Sequence, residues 1–131
     1  TDLQSALGLS QLSRLDTLIQ KKKDLFNYFL KNLENVEMVE FKEHETPWFI
    51  DIILSSEGEC NELSNYLEQH SIETRFCYPP LSLQNYLVNV EKKSLVNSIN
   101  TAKRILWLPS STTLNEADLE KIVTTVNKFF N

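Results

Sequence analysis

Apolar positions in the first thirty residues recur at helical spacing. Leu7, Leu12, Leu15, Leu18, Ile19, Leu25, Phe26, Phe29, Leu30 and Leu33 fall on one stripe, the repeat of an amphipathic helix. The stripe predicts one long helix over residues 1–34. Thr1 and Gln4 supply a capping box at its start. The hydroxyl accepts from a free backbone N–H and the amide reaches back to the cap. Gln11 and Lys22 interrupt the stripe. A lysine can bury its methylenes and keep its ammonium in water; a buried glutamine needs a partner. Leu3, Ala6 and Leu9 project to the other side, so the first third of the helix is apolar nearly all round. Such a helix is normally covered on both sides. In a chain this small the second cover is expected from outside it.

Period two replaces the helical period further on. Val39 and Phe41 alternate with Glu40 and Lys42, predicting a strand, and His44 to Pro47 predict a turn. Trp48 to Leu54 reads as a stronger, more central strand, rich in aromatic and β-branched residues. Asp51 is the odd residue within it: it faces solvent, or it pairs with Arg75 across the sheet. After a loop at Ser55 to Gly58, a helix from Glu59 to Gln69 turns Cys60, Leu63, Tyr66 and Leu67 inward. Ile72, Thr74 and Phe76 then alternate with Glu73, Arg75 and Cys77, a strand stopped at Tyr78-Pro79-Pro80. Two prolines remove two backbone donors and fix two φ angles, so a sheet cannot continue through them. The stiff loop that follows carries Tyr78, Ser82, Gln84, Asn85 and Tyr86. A rigid loop at a strand end can present a ligand contact; pattern alone favours a structural connection with two packed tyrosines.

Asn89 to Lys93 reads as a polar connection, and Ser94 as the cap of a helix to Lys103 that buries Leu95, Ile99 and Ala102. Ile105 to Leu108 is a brief strand stopped by Pro109. Asn115 caps the last helix, with Glu116 and Asp118 at the positive end of its dipole. Leu119, Ile122, Val123, Val126, Phe129 and Phe130 form its buried stripe. The order α-β-β-α-β-α-β-α predicts an α+β fold: a small antiparallel or mixed sheet packed with helices on one face, behind a long N-terminal helix. Residues 1–34 would form the linking helix and residues 35–131 one small domain.

Composition narrows the function. The net charge of −5, with no basic run longer than Lys21-Lys22-Lys23, argues against nucleic acid as a partner. No apolar stretch approaches the length of a membrane span and none has the pattern of a signal peptide. Cys60 and Cys77 are not a disulfide framework and read as free thiols of a cytoplasmic protein. With only Gly8 and Gly58 there is no glycine-rich phosphate loop. His44 and His70 lack metal-ligand spacing, Cys77 has no activating base nearby, and Ser110-Ser111 reads as turn and cap. Residue chemistry alone supplies no self-sufficient active site. The abrupt start inside a helix cap suggests a fragment.

Four blocks, in order, carry a resemblance. They are Thr1 to Asp16 (TDLQSALGLSQLSRLD), Pro47 to Asp51 (PWFID), Thr74 to Gln84 (TRFCYPPLSLQ), and Ile105 to Ser111 (ILWLPSS) with Leu114. Together they resemble the C-terminal part of the DegT/DnrJ/EryC1/StrS sugar aminotransferases. The branch they look closest to is perosamine-synthase-like and aminates position 4 of nucleotide-linked 4-keto-6-deoxy sugars. The resemblance implies the small domain of a fold type I aminotransferase. The parent enzyme would use pyridoxal 5'-phosphate to move an amino group from glutamate to a nucleotide sugar, for surface polysaccharide. The Schiff-base lysine and the phosphate cradle would lie in the large domain, and the lysines here do not sit in that motif. The chain alone is therefore expected to be inactive and to bind no cofactor.

The same resemblance implies a homodimer, here through the apolar N-terminal helix, and a substrate-binding role for Arg75, Tyr78, Ser82 and Gln84. Ser82 stands where the family commonly has histidine; a serine can hydrogen-bond a sugar or phosphate oxygen but carries no charge near neutral pH. Arg75 could approach a nucleotide phosphate or pair with Asp51. The alternative is a stand-alone, non-catalytic remnant acting as a dimerisation or protein-interaction module.

Overall fold

The structure is a computed structural model of the chain, and it describes residues 1–87 and 95–131. Its elements are α1 (Asp2–Leu12), α2 (Leu15–Asn32), β1 (Glu37–Met38), β2 (Ile50–Ile53), α3 (Glu57–Gln69), β3 (Arg75–Phe76), a 3-10 turn at Leu81–Leu83, α4 (Val96–Ala102), β4 (Ile105–Leu108) and α5 (Glu116–Phe130). The strands form one four-stranded sheet in the order β1-β2-β4-β3. Every pairing is antiparallel, which settles the choice between an antiparallel and a mixed sheet. The brief strand β4 lies inside the sheet and pairs along its whole length with β2.

Met38, Ile50, Ile52, Leu106 and Leu108 face the helices. They pack with Leu25, Phe26 and Phe29 of α2, Cys60, Leu63 and Leu67 of α3, and Ile122, Val123 and Val126 of α5. Phe29, Ile52, Leu63, Leu67, Leu106 and Val126 are wholly buried; each such side chain contributes about 1.5–3 kcal/mol by leaving water. Side-chain caps mark two of the helices that carry this core, α3 and α5. Asn115 and Asp118 form a capping box on α5, and the Ser56 side chain accepts from Glu59 N–H at 3.1 Å, so α3 starts two residues earlier than predicted. Asn35, with φ 57°, follows the end of α2 in the left-handed conformation that asparagine tolerates.

The long helix is two helices. Ser13 Oγ donates to Ser10 O at 3.0 Å and Arg14 N–H donates to Gln11 O, three residues back, at 3.0 Å. Serine back-bonding competes with the helical ladder, and the chain turns at Ser13-Arg14 before α2. The capping box of Thr1 and Gln4 is present, yet no residue of α1 is buried. Gln11 is exposed with the rest of α1 and needs no buried partner.

Both early strands are shorter than the alternation predicts. The strand expected around Val39 and Phe41 is Glu37–Met38 instead, because Phe41 packs edge-on against Phe26 at 5.2 Å. Trp48 and Phe49 lie outside β2, and the Trp48 carbonyl accepts from Lys22 Nζ rather than from a ladder partner. In the third strand Ile72 is buried as read, but only Arg75 and Phe76 pair, and Phe76 is 49% exposed. In α4, Leu95 is exposed and Ile99 and Ala102 are half-buried, so that helix adds little to the core. The predicted connection at Asn89 to Lys93 and the cap at Ser94 lie outside the described residues.

Candidate functional site

Strand alternation gives the sheet a second face. Asp51, Trp107 and Arg75 stand in register across β2, β4 and β3, so they share the side opposite the core. Trp107 is only 6% exposed, yet it stands outside the core cluster. Aromatic neighbours bury it. Phe49 stacks on the indole at 3.9 Å with the rings 5° from parallel, and Tyr78 meets it edge-on at 4.9 Å and 86°. The edge-on contact is a favoured arrangement for rings with a negative face and a positive edge.

Asp51 lies beside this stack. Trp107 Nε1 donates to Asp51 Oδ1 at 2.5 Å. Burial pushes the Asp51 carboxyl up from its ordinary value, and the indole bond opposes that rise. The ion pair with Arg75 does not form. β4 lies between β2 and β3, and the Arg75 guanidinium sits 3.6 Å from the Glu73 carboxylate, both side chains largely in solvent. Such an exposed pair contributes little.

A cleft of about 370 Å³ opens where β2 and β3 begin and β4 ends, lined by Phe49, Thr74, Arg75, Trp107, Ser110 and Ser111 among others. Lys22 holds two of the segments beside it. Its Nζ donates to Trp48 O at 2.8 Å and to Ser110 O at 2.5 Å, and lies 5.9 Å from the Trp48 ring centroid. The side chain expected to reach for water clamps two loops to α2 instead. Burial lowers its pKa.

The proline loop closes on itself. Gln84 N–H donates to Leu81 O at 3.0 Å, and Gln84 Nε2 donates to Pro79 O at 3.3 Å. Ser82 Oγ is buried with no hydrogen-bond partner among the described residues, at a cost of roughly 1–3 kcal/mol for an unmet polar group. Of the four residues singled out from sequence, Arg75 and Tyr78 border Trp107. Ser82 and Gln84 sit in and after the 3-10 turn, and the Gln84 amide is committed to the loop backbone. Sequence reasoning missed Phe49 and Trp107. Within Ile105-Leu106-Trp107-Leu108 every residue is apolar, so alternation shows no face there. The available signal was the polar Asp51 in a strand otherwise read as central.

Neither thiol is activated. Burial and the Asp51 charge push Cys77 up, and burial with Glu57 and Glu59 pushes Cys60 up to about 11. Among the described residues no three metal-ligating side chains cluster, and no helix is long and apolar enough to cross a membrane. The described residues do not fit pyridoxal phosphate either. The half-buried lysines, Lys22 and Lys23, donate to backbone carbonyls, and the other described lysines are exposed. None presents an amine within an enclosed site.

Comparisons with known proteins agree on one family. The model of the DegT/DnrJ/EryC1/StrS aminotransferase family matches residues 1–127. A GDP-perosamine synthase of Vibrio cholerae is 31% identical over the whole chain, which covers 38% of that protein. The lipopolysaccharide biosynthesis protein RfbH of Salmonella typhimurium is 29% identical over 99% of the chain, which covers 32% of it. The chain thus spans about a third of the length of these curated relatives. Among solved structures, a DegT DnrJ EryC1 StrS aminotransferase from Brucella abortus superimposes with a TM-score of 0.82 at 24% identity, over 92% of this chain and 33% of that one. That likeness carries the fold.

Proposed function

The chain belongs to the DegT/DnrJ/EryC1/StrS aminotransferase family, and from that premise we propose that it is the C-terminal domain of a pyridoxal-phosphate-dependent aminotransferase. The parent enzyme transfers an amino group from glutamate to a nucleotide-linked 4-keto-6-deoxy sugar for surface polysaccharide, in the cytoplasm. The observation that carries this reading is the match itself: the chain aligns end to end with a GDP-perosamine synthase yet covers 38% of it. When bound, the cofactor would supply the electron sink of the transamination from the part of the enzyme beyond these residues. In this reading residues 1–34 link the domains, residues 35–131 are the small domain, and α1 forms a homodimer contact.

The small domain's task is to close the substrate site. Arg75 offers the guanidinium that suits a phosphate and Tyr78 an aromatic wall. Gln84, whose Nε2 is held by Pro79 O, has its amide oxygen for a sugar hydroxyl, and the buried Ser82 Oγ would reach a sugar oxygen only with a shift of the loop. The test is an assay of the protein made from the full reading frame around this chain. Glutamate-dependent amination of a nucleotide 4-keto-6-deoxy sugar is expected, with Arg75→Ala and Tyr78→Ala raising KM. The isolated chain should show no turnover and no borohydride-trapped lysine adduct with pyridoxal phosphate. Robust turnover by the chain alone would refute the division of labour. A second reading, a stand-alone interaction module, is favoured by the complete exposure of α1; the same assay separates the two.

A further inference from the structure

The placement of Asp51 calls for a cause. A carboxylate drawn half out of water is costly unless a cation or several donors meet it. Among the described residues no cation meets Asp51: Arg75, in register one strand beyond Trp107, pairs with Glu73. Among the described residues its side chain receives one hydrogen bond, from Trp107 Nε1 at 2.5 Å. Trp107 itself lines the cleft and touches two rings, Phe49 of the cleft wall through its face and Tyr78 at the start of the proline loop across its edge. Stacking alone leaves a ring free to slide and turn in its own plane. An indole has one polar atom, a donor, so an acceptor at that atom fixes the ring's in-plane orientation.

We infer that Asp51 is a positioning residue: by accepting the indole N–H it fixes Trp107 as the common support of Phe49 and Tyr78. It thereby fixes the ring against which Tyr78, at the start of the proline loop, packs. The inference rests on the proposal that this face meets the substrate. It also gives the acid a role with no ion pair among the described residues, since an apolar residue at this position would leave the indole N–H without its acceptor.

The test compares two substitutions in the 131-residue chain by NMR. Asp51→Asn keeps an oxygen acceptor; Asp51→Leu has similar bulk and none. With Asn, the Trp107–Tyr78 and Trp107–Phe49 ring contacts and the slow exchange of the indole N–H should persist. With Leu, the Tyr78 contacts should fade and indole exchange should quicken about tenfold, the equivalent of one hydrogen bond, while core amides such as Leu106 stay protected. Intact Tyr78 contacts in the Leu variant would overturn the inference. So would equal loss in both variants, or loss of core protection in step with the ring contacts. Should the Leu variant not fold, Trp107→Phe keeps a ring for Phe49 and removes the N–H; undisturbed Tyr78 order there would be equally fatal. In the assay of the longer enzyme, the Leu variant should raise KM and the Asn variant should not. Lost ring contacts with an unchanged KM would leave the positioning role standing and sink the substrate reading.

Discussion

The two sides of this molecule dispose of their apolar residues in opposite ways. On the helical side, α3 and α5 turn every large apolar side chain inward, and neither helix contributes to the exposed set. Their ends are capped by Ser56 and by the Asn115–Asp118 box. Elsewhere Trp48 is 74% exposed, Tyr78 68% and Leu81 70%, and α1 leaves Leu3 81% and Leu9 68% in solvent. A patch of this kind on a folded protein marks a surface that meets something. The difference separates what holds the chain together from what it presents. The wholly buried side chains lie on the helical side of the sheet, and the larger losses of stability are expected there.

That contrast can be broken by substitution. The largest effect is expected at Phe29, which is wholly buried: Phe29→Ala should cost about 3–5 kcal/mol, read from urea unfolding. A loss no larger than that of Tyr78→Ala would erase the distinction between the faces. Lys22→Met comes next. It removes the bonds that tie Trp48 and Ser110 to α2, at about 1–3 kcal/mol for a charged donor to two carbonyls. Asn115→Ala should cost about 1 kcal/mol through the cap of α5. Tyr78→Ala and Trp48→Ala, which remove exposed rings with an edge-on aromatic contact each, should cost about 0.5–1 kcal/mol.

The smallest effect is a pH dependence. The folded-state pKa of Asp51 is raised by burial, so the folded chain holds that proton more tightly than the unfolded chain. Its contribution is fully present below the ordinary carboxylate value and is lost as pH rises through the raised one. Asp51→Asn does not titrate, so its stability relative to the parent should improve from acid to neutral pH. Urea midpoints at both ends check the sign; a fall in relative stability on going to neutral pH would reverse it.

Much of the fold was legible because periodicity reports burial directly. The stripes of α2, α3 and α5 and the β-branched run at Trp48 to Leu54 mark the core. What periodicity cannot report is competition for backbone groups. Ser10 and Ser13 break the first helix through a side-chain bond, and Lys22 takes the Trp48 carbonyl that a longer strand would have used. The candidate site was legible only in part. Arg75 stands in register with Trp107 and Tyr78 touches its ring, but Trp107 sits in a run with no polar residue. Its face emerges only when β4 pairs with β2 and brings it opposite Asp51. The expected Asp51–Arg75 pair failed for the same reason: the strand order inserts β4 between them.

The claim common to these points is that α1 and the outer face are contact surfaces, which the proposal assigns to a larger aminotransferase. Light scattering across a concentration series tests it most directly. The 15.2 kDa chain should associate into larger species as concentration rises, and Leu3→Glu with Leu9→Glu should restore the monomer. A single species of 15.2 kDa at every concentration would contradict the account.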